Sequence, residues 1–464
     1  MRIVLALLCA AQFMVVLDVS VVNVALPSIA QALAVGPLGL AWVGNAYALT
    51  FGGLLLLGGR LADLYGHRRV FVTGLAVFSG ASLAGGLADT AGLLIAARAG
   101  QGAGAAILAP ATLTVLTSVF PEGPRRTRAI AVWTAVSLAG GTAGNLIGGA
   151  LTQYLSWRSI LLVNVPIGLA CLVAARRLPA DPGRRRGRLD VPGALTATGG
   201  LVALAYGVSG SVVAVFGGCV LLGLFVLVET RVAAVPLVPP ALVRARAIWL
   251  GNVAMLLAGA CLNPMWYFLT LSLQNVLGYG PLLTGLAFLP HTLLTMLVGL
   301  RVTPWLMRRT GDRVLIVAGA LIGAAGFLWQ SRLGPGGDYV TAVLGPAVLI
   351  SLGSGLLNTP LTVTVTSGVA SEDAGAASGL MNTAKQIGGA LGLATLVALT
   401  STQGADANPA DLAEGYGQAF VLIAAALAAV AVLALALPHR RDPEPTPTDR
   451  NQTWAGSRLG RRWR

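Results

Sequence analysis

Charge is what this sequence lacks most: 10% of its 464 residues are Asp, Glu, Lys or Arg, against roughly 25% in soluble domains. A chain of this length cannot build a water-facing surface from so few ionic groups, and its 56% hydrophobic content points to lipid as the surrounding solvent. Lysine is nearly absent, with Lys385 alone, and histidine numbers 3. The 4 cysteines, Cys9, Cys171, Cys219 and Cys261, lie in apolar runs without CxxC spacing, which argues against a disulfide framework or a zinc site. No GxxxxGK[ST] element is present, so nucleotide hydrolysis within this chain does not power its work. Neither a His/Asp/Glu metal cluster nor a nucleophile–base pair stands out, so neither an enzyme nor a cofactor is expected.

What the chain has in abundance is apolar runs and glycine, 60 residues of it. The glycines sit among Ala, Ser and Thr inside apolar stretches, a composition that lets membrane helices approach closely. A span needs about 20 apolar residues, and fourteen segments qualify: 4–27, 39–59, 69–88, 91–117, 127–153, 159–177, 191–209, 211–228, 247–275, 281–306, 313–331, 339–361, 379–401 and 417–437. They do not alternate apolar and polar residues as barrel strands do, so the expected fold is an all-α integral membrane protein. The apolar start, continuous from Ile3 through Asp18 toward Pro27 without a small-residue cleavage site, reads as an uncleaved first span.

The net charge of +14 raises nucleic-acid binding, but the arginines fall in short clusters between apolar runs, with no basic face on a soluble domain. Their placement is one-sided. Arg60, Arg68 and Arg69, then Arg125, Arg126 and Arg128, then Arg176 to Arg188, Arg244 and Arg246, and Arg308, Arg309 and Arg313 all lie in even-to-odd connections. By the positive-inside rule those loops and both termini are cytoplasmic, in a multi-pass protein of the cell membrane. The tail from His439, rich in Pro and then in Arg, is expected to be disordered and to rest on anionic lipid.

An internal echo divides the chain. Gly59–Arg69 links spans two and three; eight spans later Pro304–Val314 repeats its pattern, with Gly66 aligned to Gly311 and Arg68 to Arg313. Two six-helix bundles with two inserted helices account for the offset, and repeated halves around a central site are a common transporter plan. The expected divisions are 1–178, a linker with two extra helices at 179–246, a second bundle at 247–438, and the tail at 439–464.

Asp18 is the residue to explain. A carboxylate at the centre of a span costs roughly 2.5–3.5 kcal/mol on insertion scales, and burial disfavours the charged form of a carboxyl group, the property a proton carrier uses. Two roles fit: a structural hydrogen-bonded Asp, or a group that holds a proton and a substrate in turn. Arg98, with Gln101 one turn on, either snorkels to the interface or faces inward beside that carboxylate. Asp63 opposes the charge bias of its loop and reads as a charge latch with Gly59, Gly66, Arg68 and Arg69. Gly144, Asn145, Gly148 and Gly149 form a face on which span five can slide. Asp18, Asn23, Gln101, Asn263, Gln274 and Asn358 are candidate substrate contacts. Asn23, Asn263, Gln274, His291, Asn358, Asn382 and Gln386 are soft signals, each more often an interhelical hydrogen bond. Asp190 and Glu229 flank the inserted pair as structural groups.

These stretches carry a family resemblance. Leu17–Pro27, Gly59–Arg69, Arg98–Pro110, and Gly144–Gly149 followed by Trp157-Arg158 and Asn164–Gly168 resemble the fourteen-helix drug/proton antiporters of the major facilitator superfamily, over about residues 5–437. The resemblance implies alternating access of two bundles, with inward protons driving export of drugs, antibiotics or other small organic molecules by a monomer. It also implies proton coupling at Asp18 and Arg98. One departure is Asn145, where the antiporter pattern has proline; Asn bends a helix less than Pro does. With one deep acid, about one proton per cycle and neutral or monocationic substrates are expected. Proton-linked uptake or metabolite export on the same fold, and a transport-inactive sensor, are the alternatives.

Overall fold

The computed structural model describes residues 2–179, 189–208, 210–233, 236–238, 242, 245–367, 369, 373–400 and 408–437, with the side chain of Asp63 excepted. The expectations for Arg184 to Arg188, Arg244 and the tail from His439 fall outside these residues. Among the described residues the chain is helical, with no strand. Lipid offers no partner to a free amide or carbonyl, so the backbone must satisfy itself within each segment.

The first bundle contains α1 (Arg2–Leu33), α2 (Pro37–Tyr65), α3 (His67–Gly86), α4 (Ala91–Val119), α5 (Pro124–Tyr154) and α6 (Ser159–Arg177). Then come α7 (Val191–Gly207) and α8 (Val212–Val232). The second bundle contains α9 (Arg246–Val276), α10 (Pro281–Thr310), α11 (Asp312–Gln330), α12 (Val340–Thr366), α13 (Ala374–Thr400) and α14 (Pro409–Leu435).

Twelve of these are long and apolar enough to cross a membrane, two fewer than the fourteen spans read from the sequence. The two outside that set are α7 and α13. α7 is short, at 17 residues. α13 runs for 27 residues, but Asn382, Lys385 and Gln386 dilute its apolar character.

Proline and side-chain caps place several helix starts. Pro37, Pro124, Pro281 and Pro409 stand at the first turns of their helices, where a missing N–H is not needed. Thr90 and Ser211 accept from backbone amides at the starts of α4 and α8. Asn408 and Asp411 form a reciprocal cap on α14. α9 is interrupted at Asn263–Pro264.

The sequence echo has a geometric counterpart. Gly66, between α2 and α3, has φ 95° and ψ 139°; Gly311, between α10 and α11, has φ 79° and ψ 158°. Both tight turns use backbone angles that residues with a Cβ rarely adopt. Helix crossings repeat as well. A Cβ at Gly104 of α4 would lie 2.6 Å from Phe78 N on α3, and one at Gly353 of α12 would lie 2.5 Å from Gly323 N on α11. In each half the two backbones meet where side chains are absent, which replaces the hydrophobic driving force that lipid does not supply.

The bundles meet along α2 and α13 and again where α5 meets α10. Thr383 Oγ1 donates to Gly52 O over 2.9 Å at the first seam. At the face opposite the basic loops, Tyr267 Oη donates to Pro37 O (3.2 Å) and Gln274 Nε2 to Val24 O (2.8 Å). There a Cβ at Gly149 would meet Pro281 O at 2.6 Å. An arginine on this face, Arg158, departs from the charge bias but is paired with Asp89 at 3.0 Å. α7 lies over the α2–α13 seam: Leu201 and Ala205 share an apolar cluster with Leu49, Ala390 and Ala394.

Gly353→Val should lower thermal stability in detergent by about 1–3 kcal/mol, the usual range for overpacking. Gly59→Ala, whose Cβ meets nothing within 4 Å, should leave it unchanged. Equal melting temperatures for Gly353→Val and the parent protein would refute the close-packed crossing.

Candidate functional site

α1 carries Asp18 into the interior of the first bundle, where it is 0% exposed. A carboxylate there requires compensation on every lone pair it presents, and the neighbouring helices supply it. Arg98 Nη1 of α4 donates to Asp18 Oδ2 at 2.5 Å. Gln101 Nε2, one turn further along α4, donates to Oδ1 at 2.7 Å, as does Asn164 Nδ2 of α6. Ser82 Oγ of α3 accepts from Gln101 at 2.7 Å. Arg98 is fixed in turn by Gln101 Oε1 (2.9 Å), by Val43 O of α2 (3.2 Å to Nε) and by the Tyr47 ring, 4.5 Å beneath its guanidinium carbon. Asp18, Arg98 and Gln101, singled out in the sequence, are thus one network. Ser82 and Asn164 belong to it as well and were not assigned there; Asn164 stood in a quoted stretch, but its chain distance of 146 residues from Asp18 hid the contact.

α5 lies directly on the turn of α1 that bears Asp18. A Cβ at Gly144 would sit 2.7 Å from Ser20 Cβ and 3.0 Å from Leu17 O; one at Gly148 would sit 2.7 Å from Val21 O. On its other side the same helix meets α10, where a Cβ at Gly285 would come within 2.4 Å of Asn145 O. Of the glycine face expected of span five, Gly144 and Gly148 are the surface on which the Asp18 helix rests, while Gly149 and the Asn145 carbonyl face α10. Asn145 is 3% exposed, and its Oδ1 has no hydrogen-bond partner among the described residues.

A cavity of about 500 Å³ lies between the bundles, within the usual range for small-molecule sites. Asn23 from α1, Asn263 from α9 and Asn358 from α12 line it, together with Asn45, Asn145 and Gln386. Trp266 forms part of the wall, packed edge-on to Phe288 with centroids 5.1 Å apart and backed by His291 at the same distance. His291 itself is buried and bonded to Ser351 Oγ at 2.9 Å.

Arg98 reaches this wall; Asp18, Gln101 and Gln274 do not. The acid is turned into the first bundle, one guanidinium away from the cavity, and Gln274 is engaged in the clasp to Val24.

In the loop expected to act as a latch, Gly66 makes the turn, Arg68 and Arg69 open α3, and Arg60 at the end of α2 donates to Pro236 O. The side chain of Asp63 lies outside the described residues. Among the described residues no group of three His, Cys, Asp or Glu side chains is placed to hold a metal ion.

Removing Arg98 alone (Arg98→Met) should cost about 3–5 kcal/mol, because it strands a buried carboxylate. The double variant Asp18→Leu/Arg98→Met should recover most of that loss, a coupling read from thermal denaturation of the single and double variants. Additive losses would show that the two groups do not depend on each other.

Residues 8–393 match the family model described as Major Facilitator Superfamily. The cephamycin export protein of Amycolatopsis lactamdurans is 57% identical over 433 residues, covering 90% of this chain and 89% of that protein. The puromycin resistance protein of Streptomyces alboniger is 44% identical over 84% of this chain and 80% of its own length. The tetracenomycin C resistance and export protein of Streptomyces glaucescens is 33% identical over 86% and 76%. A structure solved for substrate recognition in proton-dependent oligopeptide transporters superposes with a TM-score of 0.64 over 94% of this chain and 98% of that one, at 14% identity, a likeness of fold. The chain is a multi-pass membrane transporter that belongs to the major facilitator superfamily, with relatives that export or resist antibiotics.

Proposed function

We propose that this protein is a proton-coupled exporter of antibiotics or other small organic molecules in the plasma membrane. In this reading it works by alternating access of two six-helix bundles, 1–178 and 247–438, joined by a two-helix linker at 179–246 and followed by a tail at 439–464. It crosses the membrane fourteen times, α7 and α13 included, with both termini cytoplasmic.

The observation that carries the reading is the sealed Asp18–Arg98 network beside a central cavity, in a chain whose relatives include export proteins. With Asp18 ionised, Arg98 is drawn against it. A proton on Asp18 removes that attraction, leaves the guanidinium without its counter-charge, and releases α1 to shift on the glycine face of α5. The contacts of Tyr267, Gln274 and Gly149 on the face opposite the basic loops support an arrangement closed toward the outside. Rocking would open that clasp while the α2–α13 seam acts as a pivot.

Exchange of one inward proton for one neutral molecule uses both the pH gradient and the membrane potential, worth about 2.3 kcal/mol per charge per 100 mV.

In inside-out vesicles with an acid interior, a transported compound should dissipate the pH gradient, and Asp18→Asn should abolish the response while the protein remains folded. Full proton flux in Asp18→Asn would remove Asp18 from the coupling site. Uptake into whole cells without proton movement would favour an importer.

A further inference from the structure

Resting on the exporter reading, we propose that Asn263 of α9 and Gln386 of α13 form a paired amide clamp that selects uncharged substrates by a carboxamide or carbamate group, with Trp266 as the platform for the apolar body that carries it. The two side chains meet within the second bundle, Asn263 Nδ2 donating to Gln386 Oε1 at 3.5 Å, and both line the cavity. This one long bond leaves each amide half used. Asn263 Oδ1 and Gln386 Nε2 have no hydrogen-bond partner among the described residues, and solvent reaches both. An acceptor and a donor therefore stand open on adjoining amides. Turning both amides over exchanges the two without removing either.

Packing fixes the clamp in place. Asn263 lies against Gly389 of α13, where a Cβ would fall 2.2 Å from Asn263 Nδ2 and 2.9 Å from its Cβ. Gln386 is confined by α2, since a Cβ at Gly52 would lie 3.0 Å from Gln386 Cβ. Thr383, about a turn earlier on α13, is bonded to Gly52 O. Trp266 follows Asn263 by about a turn, and its ring is held by Phe288 and His291. Polar groups held this firmly by their surroundings discriminate between ligands by geometry.

Charge narrows the ligand class. Among the described residues no Asp, Glu or Lys lines the cavity, and Arg98, its charged member, is bound to Asp18. A cation entering here would lose its water without gaining a counter-charge.

A carboxylate offers acceptors only, so it satisfies the clamp's donor and sets an oxygen against its acceptor. A carboxamide or carbamate carries both an N–H and a carbonyl and satisfies the two ends together. A site built to hydrogen-bond such a group rejects an isostere that lacks one of them, because its own polar atom is then left unpaired. The rest of the wall, with Leu138, Met296 and Leu300, suits an apolar or aromatic body.

Titration calorimetry of the purified full chain, without any gradient, tests this independently of transport. The probes are biphenyl-4-carboxamide, its carboxylate, its amidinium and its methyl ester, which share one aromatic body and differ in charge and donors. The carboxamide should bind about tenfold more tightly than either ion and about fivefold more tightly than the ester, the worth of one hydrogen bond. Gln386→Met and Gly389→Ala should lower the carboxamide to the affinity of the ester and leave the ester unchanged, which also reports that both variants are folded. Gln386→Glu should turn the preference to the amidinium. No measurable binding of the carboxamide, equal or tighter binding of either ion by the parent protein, or equal losses of carboxamide and ester in Gln386→Met would overturn the proposal. The expected binding order without transport in vesicles would instead count against the exporter reading and leave the clamp standing.

Discussion

A carboxylate and a guanidinium held 2.5 Å apart at 0% and 2% exposure are the constraint around which the first bundle is organised. Removing two charges from water costs several kcal/mol per ion, repaid only when geometry and additional hydrogen bonds are complete. Here completion draws on five helices: α1 for the acid, α4 for Arg98 and Gln101, α6 for Asn164, α3 for Ser82 and α2 for the Val43 carbonyl and the Tyr47 ring. Any displacement of α1 must change this network, so the charge state of one side chain is tied to the relative position of several helices. In the proposed function, a tie of this kind between a proton and a packing arrangement is what an exchange transporter requires.

Glycine supplies the complementary property. Where α5 rests on α1 and on α10, and where α4 meets α3 and α12 meets α11, a Cβ would enter the neighbouring backbone. In lipid, association depends on such close approach, and a surface without side chains has no knobs to disengage when one helix slides on another. In the proposed rocking motion, the residues that pack the helices are also those on which they slide. Away from the basic loops the halves are joined by Gln274 to Val24 O and Tyr267 to Pro37 O, by the close approach of α5 to α10, and by an apolar cluster that includes Val24, Leu40, Met265 and Phe268. The seam of α2 and α13 is apolar where α7 overlies it.

Much of this was legible in the primary structure. Low charge and long apolar runs dictated helices in lipid, since no other open structure satisfies its backbone there. The Gly66 and Gly311 echo announced a repeated turn, because a positive φ demands glycine wherever that turn recurs. Asp18 and Arg98 were visible as charges too costly to be incidental. The limits were equally physical. Hydropathy counted fourteen spans, while length and composition of the helices pick out twelve, because α7 has 17 residues and α13 carries Asn382, Lys385 and Gln386 in its first half. Gln274 looked like a substrate contact because a polar side chain in a span suggests a ligand, but its amide closes the clasp with α1.

The sequence by itself determined the solvent, the helical class, the repeat and the identity of the unusual charges. Each of these follows from local composition and from backbone rules that act within a few residues. Only the tertiary structure decided which way those charges point. Asp18 faces the interior of its bundle and Arg98 reaches the cavity, because the partners that set these directions, Asn164, Ser82 and Val43, lie on other helices as far as 146 residues away along the chain. Direction is a property of packing between helices, and packing is not encoded in any one segment.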